Sequence, residues 1–201
     1  MSPAPKKHVV FDAVGTLVGY EALTSSLISQ LGSKLHSHNI QPSFLCFTWI
    51  EVAEREYTYL SLSGRYVPFS DLLPSLFWRI LHKAGIHDPH AFASESDLEV
   101  IMQGYASLRC RPGVKEMFER LRAAGWNCWI LTAGDRKRVR GYFEAEGVEM
   151  PDECVFTCDD VGIGKPDLRA YGPVLETFGK EDVKYFFAAH NWDVSAATAA
   201  G

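Results

Sequence analysis

"HVVFDAVGTLVGYE" (residues 8–21) brings a short apolar run to a stop at one carboxylate, Asp12, and follows it at once with a glycine turn and a threonine. The run is β-branched at its centre and closed by Gly15, which reads as a buried strand rather than a helix. A carboxylate at the tip of a buried strand is unfavourable by several kcal/mol unless partners meet it. Backbone N–H groups of the Gly15 turn and the ammonium of a distant lysine, Lys165, are the candidate partners.

Outward from this strand, residues 20–108 carry helical spacing throughout. "EALTSSLISQLGSKL", "SFLCFTWIEVAEREYTYLSL", "SDLLPSLFWRILHKAG" and "SESDLEVIMQGYASL" each place apolar residues on one helix face. Ser70 or Asp71 is the expected cap of the third segment, and Ser94 or Ser96 of the fourth. The rhythm then changes. "PGVKEMFERLRAAG" reads as a helix with proline at its start and glycine at its end. "WNCWILT" (126–132), "CVFT" (154–157) and "KYFFAAH" (184–190) read as strands. Between and after them, "DRKRVRGYFEAEG", "KPDLRAYGPVLETFG" and "WDVSAATAAG" read as helices. Alternating strands and helices predict a parallel sheet covered on both faces. The expected architecture is therefore an α/β Rossmann-like core, residues 1–19 and 109–201, with a helical cap, residues 20–108, inserted after the first strand.

The bulk composition excludes several classes. The 201 residues are 47% hydrophobic and 22% charged with a net charge of -5, which gives no basic stripe for nucleic acid. The densest basic run, "DRKRVR" (135–140), reads as a solvated helix face. No stretch approaches the roughly 18–20 apolar residues of a membrane span. Five cysteines at irregular spacing, without a CxxC pair, predict free thiols and a cytoplasmic setting. His36, His38, His82, His87 and His90 have no zinc-ligand spacing.

In open parallel sheets, ligands bind beyond the carboxyl ends of the strands. The polar residues expected there are Asp12, Thr132, Lys165 in "GIGKPD" and Asp193 in "AAHNWD". The first is a candidate nucleophile, the second a hydroxyl for a substrate oxygen, and the lysine and second carboxylate are a supporting ion pair. Taken singly, each also reads as a turn, cap or surface residue.

In that order, "FDAVGTLV", "ILTAGD", "GIGKPDLRAY" and "FFAAHNWD" resemble the four motifs of the haloacid dehalogenase superfamily, across essentially the whole chain. "FDAVGTL", "HNWDVSAA" and the cap stretch "EYTYLSLSGRYVPF" (56–69) are most similar to the 2-haloacid dehalogenase branch, fungal dehalogenase-like hydrolases among them. The resemblance implies a hydrolase in which Asp12 displaces halide and forms an aspartyl ester that water then cleaves. It implies that Lys165 orients Asp12 and that Asp193 holds Lys165 and helps His190 to activate water. It places Thr16, Thr132, Tyr171, His190 and Asn191 around the nucleophile and a small carboxylic-acid substrate, and it suggests a homodimer. In phosphatases of the superfamily a general-acid aspartate stands two residues after the nucleophile. Val14 occupies that position here. A halide leaves as a stable anion and needs no proton, whereas an alkoxide does. Fewer site carboxylates also imply no required metal or other cofactor.

Three positions depart from the branch. Its cap arginine near position 50 is absent, with Trp49 or Ile50 there and Arg55 the nearest cation. Thr132-Ala133 replaces a serine–asparagine pair, and His190 replaces an amide. A phosphatase-like hydrolase and a non-catalytic binding protein of the same fold are the alternatives. The superfamily continues with a further strand beyond the place of Gly201; either this chain is shortened there, or an edge strand is missing and its neighbour is expected to be exposed.

Overall fold

A computed structural model describes residues 4–201. β1 (Lys7–Phe11) leads through the Asp12–Leu17 turn into the two-residue β2 (Val18–Gly19). Six helices follow: α1 (Glu21–Ser37), α2 (Pro42–Leu62), α3 (Phe69–Ser75), α4 (Phe77–Lys83), α5 (Pro89–Phe92) and α6 (Glu95–Ala106). Their apolar faces join the same hydrophobic core as the sheet. Leu23, Leu27, Leu31 and Leu35 of α1 are spaced every four residues, form one fully buried stripe and stabilise the layer by roughly 1.5–3 kcal/mol each. Trp49 of α2 is buried against Phe77 and donates its indole N–H to Leu73 O at 2.8 Å. The expected cap of α6 forms as a capping box between Ser94 and Asp97. The segment expected to be capped at Ser70 or Asp71 instead begins at Phe69, after Pro68, and is two short helices. Pro74 lacks the N–H that a continuous helix would use, which separates them.

β3 (Arg109–Cys110) pairs antiparallel with β2 and returns the chain to the core. Then come α7 (Val114–Ala123), β4 (Trp126–Thr132), α8 (Arg136–Ala145), β5 (Val155–Thr157), α9 (Cys158–Val161), α10 (Gly172–Leu175), β6 (Val183–Phe187) and α11 (Asn191–Ala200). The helix expected over "KPDLRAYGPVLETFG" is a 3-10 turn at Leu168–Ala170 and the four-residue α10. Gly172 and Pro173 interrupt its hydrogen-bond ladder.

β1, β4, β5 and β6 make one parallel sheet in the order β5-β4-β1-β6. β1 is therefore central, and Val9, Val10 and Phe11 are buried. Phe11 lies level with Ile130 on one side and Phe187 on the other, so the strands end together and Asp12 emerges at their common carboxyl edge. β6 stands at the sheet margin with Val183, Tyr185 and Phe187 exposed. Among the described residues no helix is long and apolar enough to cross a membrane, and all five cysteines are free.

Candidate active site

Four segments converge at the edge of β1. Asp12 follows the strand directly, and its backbone N–H donates to Phe187 O at 3.0 Å, which fixes the residue in the sheet plane. The loop after α9 brings in Lys165, whose ammonium donates to Asp12 Oδ1 at 2.9 Å, Asp193 Oδ2 at 2.6 Å and Leu131 O at 3.3 Å. All three of its protons are thereby engaged. The group is almost wholly buried, with Asp12, Lys165 and Asp193 at 6%, 3% and 0% exposure. Burial opposes the Lys165 charge, but the two carboxylates outweigh it and hold the ammonium above the usual lysine range. Burial pushes the Asp193 carboxyl up, with Lys165 opposing.

Asp12 finds a second partner at an unexpected place. The Gly15 N–H closes the turn onto Val18 O at 2.8 Å, so it is not available to the carboxylate. Instead the Thr16 hydroxyl donates to Asp12 Oδ2 at 2.6 Å and accepts from Ala189 N at 2.9 Å. The carboxylate is thus oriented from both sides and its reactive face meets a cavity of about 60 Å³ between the sheet edge and α2.

Thr132, Lys165 and His190 line that cavity with Asp12. Thr132 Oγ1 accepts from Gly134 N at 3.0 Å, which leaves its own proton free to donate inward. Other expected contacts are placed elsewhere. Thr16 lies outside the cavity wall and holds Asp12 from behind it. Tyr171 is buried behind the wall, where its hydroxyl donates to Asp193 Oδ1 at 2.5 Å, so it positions Asp193 rather than substrate. Asn191 opens α11 on the exposed side, and its neighbour Trp192 lines the cavity in its place. Asp193 also lies outside the wall with both oxygens engaged, so it holds Lys165 but does not reach water.

The apolar wall comes from both layers. Val14 and Tyr20 belong to the segment after β1, while Tyr57, Phe69 and Tyr105 come from the helical layer. Of the aromatic residues in the second cap segment, Trp49 and Tyr59 do not take part, the first being core and the second 60% exposed. Arg55 turns outward to Glu56 and brings no cation to the cavity. The basic run on α8 is not wholly solvated: Arg138 packs inward with its guanidinium 4.3 Å from the Tyr105 ring centre.

One wall residue escaped the sequence reading. Glu54 of α2 lines the cavity facing Asp12, with its carboxylate 4.0 Å from His190 Nε2. Its side chain is 25% exposed, and no side chain of the described residues hydrogen-bonds it. Burial pushes its carboxyl up to about 7, His190 opposing, Glu51 and Asp12 adding, Lys165 opposing. The signal was present: Glu54 stands in the inward stripe of Ile50, Tyr57 and Ser61, a charge on the apolar face of a helix. Glu51, Glu54 and His190 bring ligand atoms within 4.8 Å of one another. The 4.0 Å separation of Glu54 and His190 is wider than the roughly 3.4 Å between neighbours in a tetrahedral zinc shell.

A buried lysine–carboxylate pair beneath an aromatic wall, at the carboxyl edge of a parallel sheet, is an arrangement that suits a hydrolase working through a carboxylate. The family model of haloacid dehalogenase-like hydrolases matches residues 6–201, and the chain belongs to that family. It is 27% identical to (S)-2-haloacid dehalogenase 1 of Pseudomonas sp. (strain CBS-3), over 98% of this chain and 82% of that one. It is 24% identical to haloacetate dehalogenase H-2 of Moraxella sp. (strain B), over 96% and 81%. The solved L-2-haloacid dehalogenase of Xanthobacter autotrophicus superimposes with a TM-score of 0.79 at 21% identity, covering 98% of this chain and 75% of that one. The same enzyme with chloropropionic acid covalently bound superimposes at 0.76, again at 21% identity and the same coverage.

Proposed function

We propose that this protein hydrolyses a carbon–halogen bond next to the carboxylate of a small organic acid, through an ester on Asp12. The observation that carries this reading is the Asp12 carboxylate, held between the Lys165 ammonium at 2.9 Å and the Thr16 hydroxyl at 2.6 Å and facing a cavity beside Val14. Lys165 holds Asp12 Oδ1 in place, and a carboxylate oxygen attacks the carbon from behind the halogen. The new C–O bond forms as the C–X bond breaks, and halide departs with the electron pair. Water then adds to the Asp12 acyl carbon, the acyl C–O bond breaks, and the hydroxy acid leaves.

Val14 offers no proton to a leaving group, which suits halide and not the alkoxide of a phosphate ester. Thr132 is the donor for the substrate carboxylate. The departing halide meets a wall of Tyr20, Tyr57 and Trp192 rather than an arginine. The covalent chloropropionic acid complex of the Xanthobacter enzyme lends support by similarity of fold. In single turnover with a 2-halo acid in oxygen-18 water, the label is expected in the Asp12 side chain and halide is released. If the label goes only to the product, or p-nitrophenyl phosphate is the better substrate, the reading is wrong.

A further inference from the structure

Cleavage of the ester needs a base that reaches water in the cavity, and the wall leaves few candidates. Asp193 is fully buried with one oxygen on Lys165 and the other on Tyr171, outside the cavity. Lys165 has no lone pair to offer, since its three protons are donated to Asp12, Asp193 and Leu131. Tyr20, Tyr57 and Tyr105 line the wall, but burial holds each phenol above its usual range, so none is a base near neutrality. The two remaining groups that exchange a proton are Glu54 and His190, which face Asp12 from the helical layer and from the start of α11.

We propose that Glu54 is the general base of the hydrolytic half-reaction and that His190 relays its proton to solvent. This rests on the aspartyl-ester reading above. Glu54 takes one proton from water as the oxygen bonds to the Asp12 acyl carbon. When the acyl C–O bond breaks, the departing alkoxide takes the second water proton from the nascent Asp12 carboxylic acid, and Asp12 is again a carboxylate. Glu54 then passes its proton to His190, 4.0 Å away and 31% exposed, and from there to bulk water. The sum is one organic halide and one water giving one alcohol, one halide and one proton.

The placement of charge fits this assignment. A carboxylate on the cavity wall repels a leaving anion, so its use lies in the second step, after halide has gone. The groups facing Glu54 are Glu51 on its own helix, His190, Asp12 and Lys165. Burial, with Glu51 and Asp12 adding and His190 and Lys165 opposing, raises its affinity for a proton to near neutral pH, where a base can both take and release one.

The experiment is rapid-quench kinetics of the full chain with 2-chloropropionate, with halide and the mass of the Asp12 peptide followed together. Wild type is expected to show a transient adduct. Glu54→Gln is expected to release up to one equivalent of halide at near the wild-type rate, then stall with the adduct retained and turnover reduced on the order of 10²–10⁴-fold. Glu54→Asp, which keeps the acid, is expected to recover part of the turnover. His190→Gln shifts the pH profile of turnover and not of the burst, and EDTA changes neither. The assignment is overturned if Glu54→Gln turns over like wild type, if burst and hydrolysis fall equally, or if EDTA abolishes turnover. Absence of any adduct and halide from wild type overturns the ester reading itself, and the role of Glu54 with it.

Discussion

Gly164 packs so closely on Tyr57 that a β-carbon at Gly164 would stand 2.7 Å from the ring. The residue before Lys165 is thus pressed on α2 of the helical layer. Gly164 N also donates to Ser61 Oγ at 2.8 Å, and Thr58 lies under Lys165 O. The loop that carries the ammonium is positioned by the same helix that carries Glu54. Gly164→Ala forces either the Tyr57 ring or the loop to move, since one contact below 3.0 Å cannot persist. The expected result is a loss of about 1–3 kcal/mol of stability and a tenfold or greater fall in kcat/KM, read by urea titration and halide release. Wild-type activity in the alanine variant would mean that α2 does not place Lys165.

Lys165→Met removes one cation from two buried carboxylates. Breaking such a pair leaves uncompensated charge and destabilises by about 3–5 kcal/mol. At pH 4 the penalty is expected to shrink, because Asp193, whose carboxyl burial already pushes up, takes a proton when its partner is gone. In wild type the sign is opposite and alkaline. Lys165 has a raised folded value, so its contribution is complete below about 10.4, the unfolded lysine value, and is lost as pH rises through the higher folded value. Urea midpoints at pH 4, 7 and 11 check both limbs. A pH-independent loss in Lys165→Met would refute the account.

The parallel sheet and the lysine–carboxylate pair were legible because strand ends and chemistry coincide. "HVVFD", "WNCWILT" and "GIGKPD" each carry period, punctuation and a polar residue together. What was not legible depends on direction. Tyr171 and Thr132 both stand beside the motif residues at the strand ends, but only tertiary packing turns the first behind the wall and the second into it. Asn191 and Trp192 differ by one position on a helix start, and about 100° of rotation decides which of them faces the site. Glu54 was overlooked because its neighbours Glu51, Arg55 and Glu56 make the local sequence look like a solvated face. Only the stripe of Ile50, Tyr57 and Ser61 marks the inward side.

Glu54→Gln makes a separate prediction about stability. The folded carboxyl titrates at about 7 and the unfolded one at about 4.3. Its value is raised by folding, so the contribution is complete below about pH 4.3 and is lost as pH rises through 7. The glutamine variant has no such loss. Its stability relative to wild type is expected to improve on the order of 2 kcal/mol between pH 4.5 and pH 8, a figure reduced because the side chain is 25% exposed. Parallel pH profiles of the two proteins would show that Glu54 titrates as if in water.

Arg138 tests which of two opposed effects is larger. Its guanidinium lies 4.3 Å from the Tyr105 ring centre and donates to the Tyr142 hydroxyl at 2.8 Å, but Nε and Nη2 are buried with no partner among the described residues. The ring contact contributes about 0.5–2 kcal/mol and the hydrogen bond about 1.5–3. Two buried donors left unsatisfied cost about 1–3 kcal/mol each, which offsets both. Methionine keeps the stem and its contact with the ring and leaves no donor unpaired, while Tyr142 still donates to Tyr105 O at 2.6 Å. Arg138→Met is therefore expected to be neutral or stabilising by about 1 kcal/mol in urea titration. A loss beyond about 2 kcal/mol would show that ordered water already satisfies the two nitrogens.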